Sequence, residues 1–260
     1  MIGGPWLLIV VGALSLLGVL VSLFTRRKRS HAPQPGTDTS ANPLTIKICC
    51  IQNVQEARLA LKHGANYLGL VSAMPSGPGP ISDDEIADIV SGLEDARPTV
   101  LLTSLNDVDM IVRQQGKTGA RVLQLCTRLS SNQLRELRVW LPNIKLMPVV
   151  HVSGPEAVTT ARELAPHADM LLLDSGSPNA KVPVLGGTGK THDWDISAEI
   201  VRSVRIPVFL AGGLTPDNVA DAIKRVRPAG VDICSGVRSN GALDEKKLAR
   251  YIKEVRSSRV

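Results

Sequence analysis

Asp174 ends the apolar run Met170–Leu173 and opens a loop of small residues that reaches Gly186, Gly187, Thr188, Gly189 and Lys190. Backbone N–H groups and an ammonium in such a loop can close over an anion. Cys49 ends another apolar run, and Lys47 stands two residues before it on the same strand face. A carboxylic acid and a thiolate make a workable acid/base pair when burial and neighbours tune their pKa values, and Lys47 is expected to favour the thiolate. Further on, Ala211-Gly212-Gly213-Leu214 and Cys234-Ser235-Gly236-Val237 carry glycines that let backbone N–H groups approach a phosphate. Together these residues point to proton transfer on a phosphorylated substrate. A nucleotide P-loop is excluded: the motif needs a glycine where this chain has Val184, and His192-Asp193-Trp194 interrupts the helix that should open on Lys190-Thr191.

Strands must position these groups. Apolar runs predict strands at Leu44–Cys50, Tyr67–Val71, Thr99–Thr103, Arg121–Leu125, Ile144–Val150, Asp169–Leu173, Pro207–Leu210 and Gly230–Cys234. Helical patterns lie between most of them, at Val54–His63, from Ser82 to about Leu93, Asp107–Gln115, Ser131–Trp140, Pro155–Leu164 and Pro216–Arg225, with a last one at Leu243–Val255. Eight strand-and-helix units in this length match a (β/α)8 TIM barrel, with a doubly wound open sheet as the alternative. The barrel places its active site at the C-terminal strand ends, which here carry Cys49 and Cys50, Ser72, Thr103, Gln124 and Cys126, His151, Asp174, Gly212 and Gly213, and Ser235 and Gly236.

The chain of 260 residues with 43% apolar residues can bury one large core. Residues 5–24 carry no charge and are long enough to cross a bilayer as a helix. Arg26, Arg27, Lys28 and Arg29 follow at once, so residues 1–29 are expected to form a single-pass transmembrane helix and basic flank, leaving the rest cytoplasmic. Residues 30–43 read as a flexible tether and 44–260 as the catalytic barrel. Four of the 30 basic residues fall in that flank, so the net charge of +6 is partly local to it. Aromatic residues make up 3% and do not interleave with basic ones, so nucleic acid is not an expected partner. Cys49, Cys50, Cys126 and Cys234 show no zinc-type spacing, so a metal site is not expected, and a cytoplasmic domain would keep them as thiols.

Lys47-Ile48-Cys49, Gly69-Leu70-Val71, Leu173-Asp174, Gly186-Gly187-Thr188-Gly189-Lys190-Thr191 with Asp193-Trp194, Ala211-Gly212-Gly213-Leu214 with Pro216 and Asn218-Val219, and Ser235-Gly236-Val237 occur in this order. Together they resemble the phosphoribosylanthranilate isomerases of tryptophan biosynthesis, from Ile46 to the C-terminus. The resemblance implies a cofactor-free Amadori rearrangement of a phosphoribosyl amine, an aldose–ketose isomerisation. It implies Asp174 as general acid on the ring oxygen, Cys49 as general base at C2, and Gln124 among the substrate contacts. Phosphate would lie on Gly212, Gly213, Ser235 and Gly236, with the Gly186–Lys190 loop folding over the substrate. Three positions depart from the family pattern. Cys50 stands where the family has glycine, Ser76–Pro80 lacks the loop arginine associated with the anthranilate carboxylate, and Cys126-Thr127 replaces His-Gly. Arg128 and Arg238 are candidates for the missing cation. A related isomerase on another phosphorylated sugar, or a phospholigand-binding barrel without catalysis, is the alternative reading.

Overall fold

The structure is a computed structural model that describes residues 44–94, 99–176, 185 and 191–258. Eight parallel strands close into a barrel: β1 (Thr45–Ile48), β2 (Tyr67–Val71), β3 (Thr99–Thr103), β4 (Val122–Leu125), β5 (Lys145–His151), β6 (Leu171–Asp174), β7 (Val208–Leu210) and β8 (Gly230–Ile233). Closure is made by β8 pairing back onto β1, with Lys47 beside Asp232 and Ile48 beside Ile233. The open-sheet alternative is thereby ruled out.

Each crossover carries a helix: α1 (Val54–Lys62), α2 (Asp83–Ser91), α3 (Val108–Thr118), α4 (Ser131–Trp140), α5 (Glu156–Leu164), α6 (Trp194–Ser203), α7 (Val219–Val226) and, after β8, α8 (Glu245–Ser257). Side-chain caps mark several starts. Ser82 and Ser130 form reciprocal capping boxes with Glu85 and Gln133, and Asn53, Asp107, Asp193 and Asp244 accept from first-turn N–H groups. Helix α6 was not among the predicted helices, because the glycine-rich stretch before it masks where its apolar face begins. A short hairpin, β9 (Arg238–Ser239) and β10 (Ala242–Leu243), leads into α8, so Leu243 belongs to a strand and not to the last helix.

The strands read as continuous apolar runs because both faces are covered. One face meets the helices, where Ile46, Leu101, Leu123, Leu171 and Leu210 pack. The other fills the barrel with Val100, Val122, Met147, Leu172 and Phe209. Near the mouth the filling thins at Gly69. A side-chain carbon there would lie 2.9 Å from the Cys49 sulfur and 3.0 Å from Lys47 Nζ, so a side chain on β2 would displace both groups.

The membrane location expected from residues 5–24 is corrected. Among the described residues no helix is long and apolar enough to cross a membrane. The apolar segment and its tether lie outside the described residues.

Gly69→Ala is expected to cost about 1–3 kcal/mol by overpacking the barrel interior. Urea unfolding checks this; a variant as stable as the parent would mean that the space at Gly69 is not needed.

Candidate active site

The floor of the site is an ion pair. Strand register sets Lys47 opposite Asp232, and Lys47 Nζ donates to Asp232 Oδ2 at 2.8 Å with the two side chains 0% and 8% exposed. Burial works against the Lys47 charge, but Asp232 and the Cys49 sulfur outweigh it and hold the ammonium above its ordinary pKa. Burial also raises the Asp232 carboxyl, against the attraction of Lys47. Asp232 was not predicted as a site residue. Its signal was available: an acid inside the buried stretch Gly230–Ile233 needs a cation opposite it.

Above this pair Cys49 and Asp174 line one open cleft, together with Gln124, Gly212, Gly213 and Ser235. Burial pushes the Cys49 thiol up to about 11, and Lys47 offsets this only in part. The expected preference for thiolate is therefore corrected, because desolvation outweighs the neighbouring ammonium. Asp174 is raised to about 6, mainly by burial, while the Ser175 N–H that donates to its Oδ1 at 2.7 Å pulls the other way. Gln124 is also buried in this wall, its Nε2 3.7 Å from the Cys126 sulfur and its Oε1 without a partner among the described residues.

At one end of the cleft, Gly212 and Gly213 hold φ of +79° and +64°, the left-handed region that favours glycine. Asn218 fixes their turn, its Nδ2 donating to Gly213 O at 2.9 Å and its Oδ1 accepting from Thr215 N at 2.8 Å. Beside it, Ser235 and Gly236 lie in a short 3-10 turn after β8. A side-chain carbon on Gly236 would sit 2.4 Å from Leu214 O, so the two glycine loops touch through backbone. Gly186, Gly187, Gly189 and Lys190 lie outside the described residues.

Other expectations resolve differently. Arg238 does not reach for a ligand: it donates to Cys50 O at 2.9 Å, to Gly241 O and to the Glu56 carboxylate at 2.8 Å, with its side chain 8% exposed. Arg128 is paired with Glu163 at the surface. Cys50 and Cys234 are not thiols but are joined by a disulfide, while Cys49 and Cys126 are free. Their sequence separation of 184 residues hid that pairing. His151, at the end of β5, meets Cys126 O at 3.2 Å.

The family model for N-(5'-phosphoribosyl)anthranilate (PRA) isomerase matches residues 46–254. The chain belongs to the PRA isomerase family. N-(5'-phosphoribosyl)anthranilate isomerase 2 of Methanosarcina mazei is 37% identical over 212 residues, which cover 80% of this chain and 92% of that protein. The PRA isomerase structure from Thermotoga maritima is 27% identical, with a TM-score of 0.71, and covers 82% of this chain and 99% of that one. A further PRA isomerase structure, in complex with reduced 1-(o-carboxyphenylamino)-1-deoxyribulose 5-phosphate, shares the fold at 24% identity and a TM-score of 0.68, covering 82% of this chain and 99% of that one. These matches span nearly the whole length of the relatives.

Within this PRA isomerase barrel, Lys47→Ala is expected to destabilise by about 3–5 kcal/mol, because it leaves Asp232 buried and unpaired. Lys47→Met combined with Asp232→Leu should regain most of that loss. Denaturant unfolding of both variants checks the pair; a Lys47→Ala chain as stable as the parent would show that the ion pair is not the constraint described.

Proposed function

We propose that residues 44–260 form the catalytic unit, with Asp174 as general acid and Cys49 as general base on N-(5'-phosphoribosyl)anthranilate. The chain is an aldose–ketose isomerase, an intramolecular oxidoreductase of tryptophan biosynthesis. The observation that carries the residue roles is the placement of Asp174 and Cys49 in one cleft, with opposite protonation demands and a glycine-built anion site at its end.

The steps follow from that placement. A protonated Asp174 gives its proton to the ribose ring oxygen as the C1–O bond breaks, and the nitrogen lone pair forms a C1=N bond. Cys49 thiolate then removes the proton on C2, and the electrons of that bond form an enolamine. Tautomerisation gives the C2 ketone, a 1-deoxyribulose derivative. The phosphate is held by backbone N–H groups around Gly212, Gly213, Ser235 and Gly236, where it costs no buried cation. Gln124 offers its unpartnered Oε1 to a substrate donor. The Gly186–Lys190 loop, outside the described residues, is assigned the role of covering the substrate that the resemblance implies.

Burial gives Asp174 its role, since a carboxyl titrating near 6 keeps a useful protonated fraction at neutral pH. The thiol titrating near 11 makes the ionised Cys49 scarce, and Lys47 is the group that stabilises it as it forms. The aglycone end departs from the family pattern. Met74, Leu102 and Leu185 give it an apolar wall, and neither Arg128 nor Arg238 supplies the cation expected for the anthranilate carboxylate.

The productive form carries protonated Asp174 and ionised Cys49. The product of those two fractions rises tenfold per pH unit below about 6 and is level from about 6 to about 11, so the lower break belongs to Asp174. The expected kcat/KM profile therefore falls on the acid side of about 6. Cys49→Ala and Asp174→Asn should each lower kcat by ~100-fold or more, followed by loss of anthranilate-type fluorescence. Either variant turning over at the parental rate would remove that residue from the mechanism.

A further inference from the structure

The ladder between β1 and β8 ends where Cys49 N donates to Ile233 O at 2.8 Å. Beyond that point the candidate phosphate turn, Ser235–Val237, is left without a strand partner. It is fastened at both ends to a single residue. Cys234, just before it, is bonded to the Cys50 sulfur, and Arg238, just after it, donates to the Cys50 carbonyl at 2.9 Å. Glu56 completes this anchor by accepting from Arg238 Nη2 and from Leu243 N at 2.9 Å, and its side chain is 11% exposed.

Cys50 is held where a side chain is disfavoured. Its φ is +62°, in the left-handed region. The facing loop accommodates it. A side-chain carbon on Gly79 would lie 2.7 Å from Cys50 Cβ, and the Cys50 sulfur rests 3.6 Å from Pro78 O. Pro78 also lines the cleft. Cys50 thus joins three segments of the mouth, the loops after β1, β2 and β8.

We propose that Cys50 is a positioning residue, whose disulfide to Cys234 fixes the backbone N–H groups of Ser235–Val237 for the substrate phosphate. The proposal rests on the phosphate end of the functional reading above. Closing the bond removes two protons and two electrons from the Cys50 and Cys234 thiols. A disulfide oxidant such as oxidised glutathione takes up both and leaves as two thiols. Opening it frees one end of the turn and leaves the other on Arg238. The reacting groups, Cys49 and Asp174, keep their own supports in Lys47 and Ser175. The loss therefore falls on phosphate binding and not on the chemical step.

The test uses the full chain, oxidised and after treatment with dithiothreitol. Alkylation in denaturant should modify two cysteines, Cys49 and Cys126, before reduction and all four after it. Reduction should raise KM, and the inhibition constant for inorganic phosphate, by about tenfold or more while kcat stays within about twofold. Cys234→Ser should show the reduced values with or without reductant. Four alkylated cysteines before reduction, or phosphate inhibition unchanged by it, would overturn the proposal. Should the chain turn over no phosphoribosylanthranilate, the functional reading falls, and phosphate protection against thermal unfolding, compared with and without reductant, still decides this one.

Discussion

Lys47 and Asp232 meet inside the barrel with almost no contact with water, and much of the mouth depends on their doing so. Two charges in an apolar interior are tolerated only when each satisfies the other, which fixes the register of β1 against β8 and hence barrel closure. The same pair sets the field beneath Cys49. A thiol so buried resists ionisation, and the ammonium below it is the compensating charge. Asp174 stands in the same field, and the Asp232 carboxyl adds to the burial that raises it. One buried pair thus serves architecture and chemistry together.

The other end of the cleft is built from backbone. Gly212 and Gly213 turn the chain with positive φ, and Gly236 leaves room for Leu214 O, so the loops after β7 and β8 sit against each other. Such a surface binds an anion through fixed dipoles, and its accuracy depends on how firmly the loops are held. Asn218 secures the first loop, and Cys50 with Arg238 secures the second.

Much of this was legible in the sequence, for physical reasons that differ between parts. The eight strands show as apolar runs because a parallel barrel buries both faces, and the strand ends then place Cys49, Asp174, Gly212, Gly213, Ser235 and Gly236 on one rim. Asp232 was visible as an acid in a buried strand, but the cation that answers it, Lys47, is identified only by the register of β8 on β1. The pairing of Cys50 with Cys234 depends on closure between the first and last strands, which local spacing cannot express. The effect of Lys47 on the thiol was misjudged because sequence gives proximity without burial, and burial is the larger influence. Apolar length alone suggested a membrane span, which finds no counterpart in the described helices.

The most direct test of the account is a crystal structure of this chain with reduced 1-(o-carboxyphenylamino)-1-deoxyribulose 5-phosphate, the ligand carried by a related isomerase. The account predicts the phosphate on the backbone of Gly212, Gly213, Ser235 and Gly236, and the sugar carbons between the Cys49 sulfur and the Asp174 carboxyl. A phosphate bound away from those loops, or a sugar out of reach of either side chain, would contradict it.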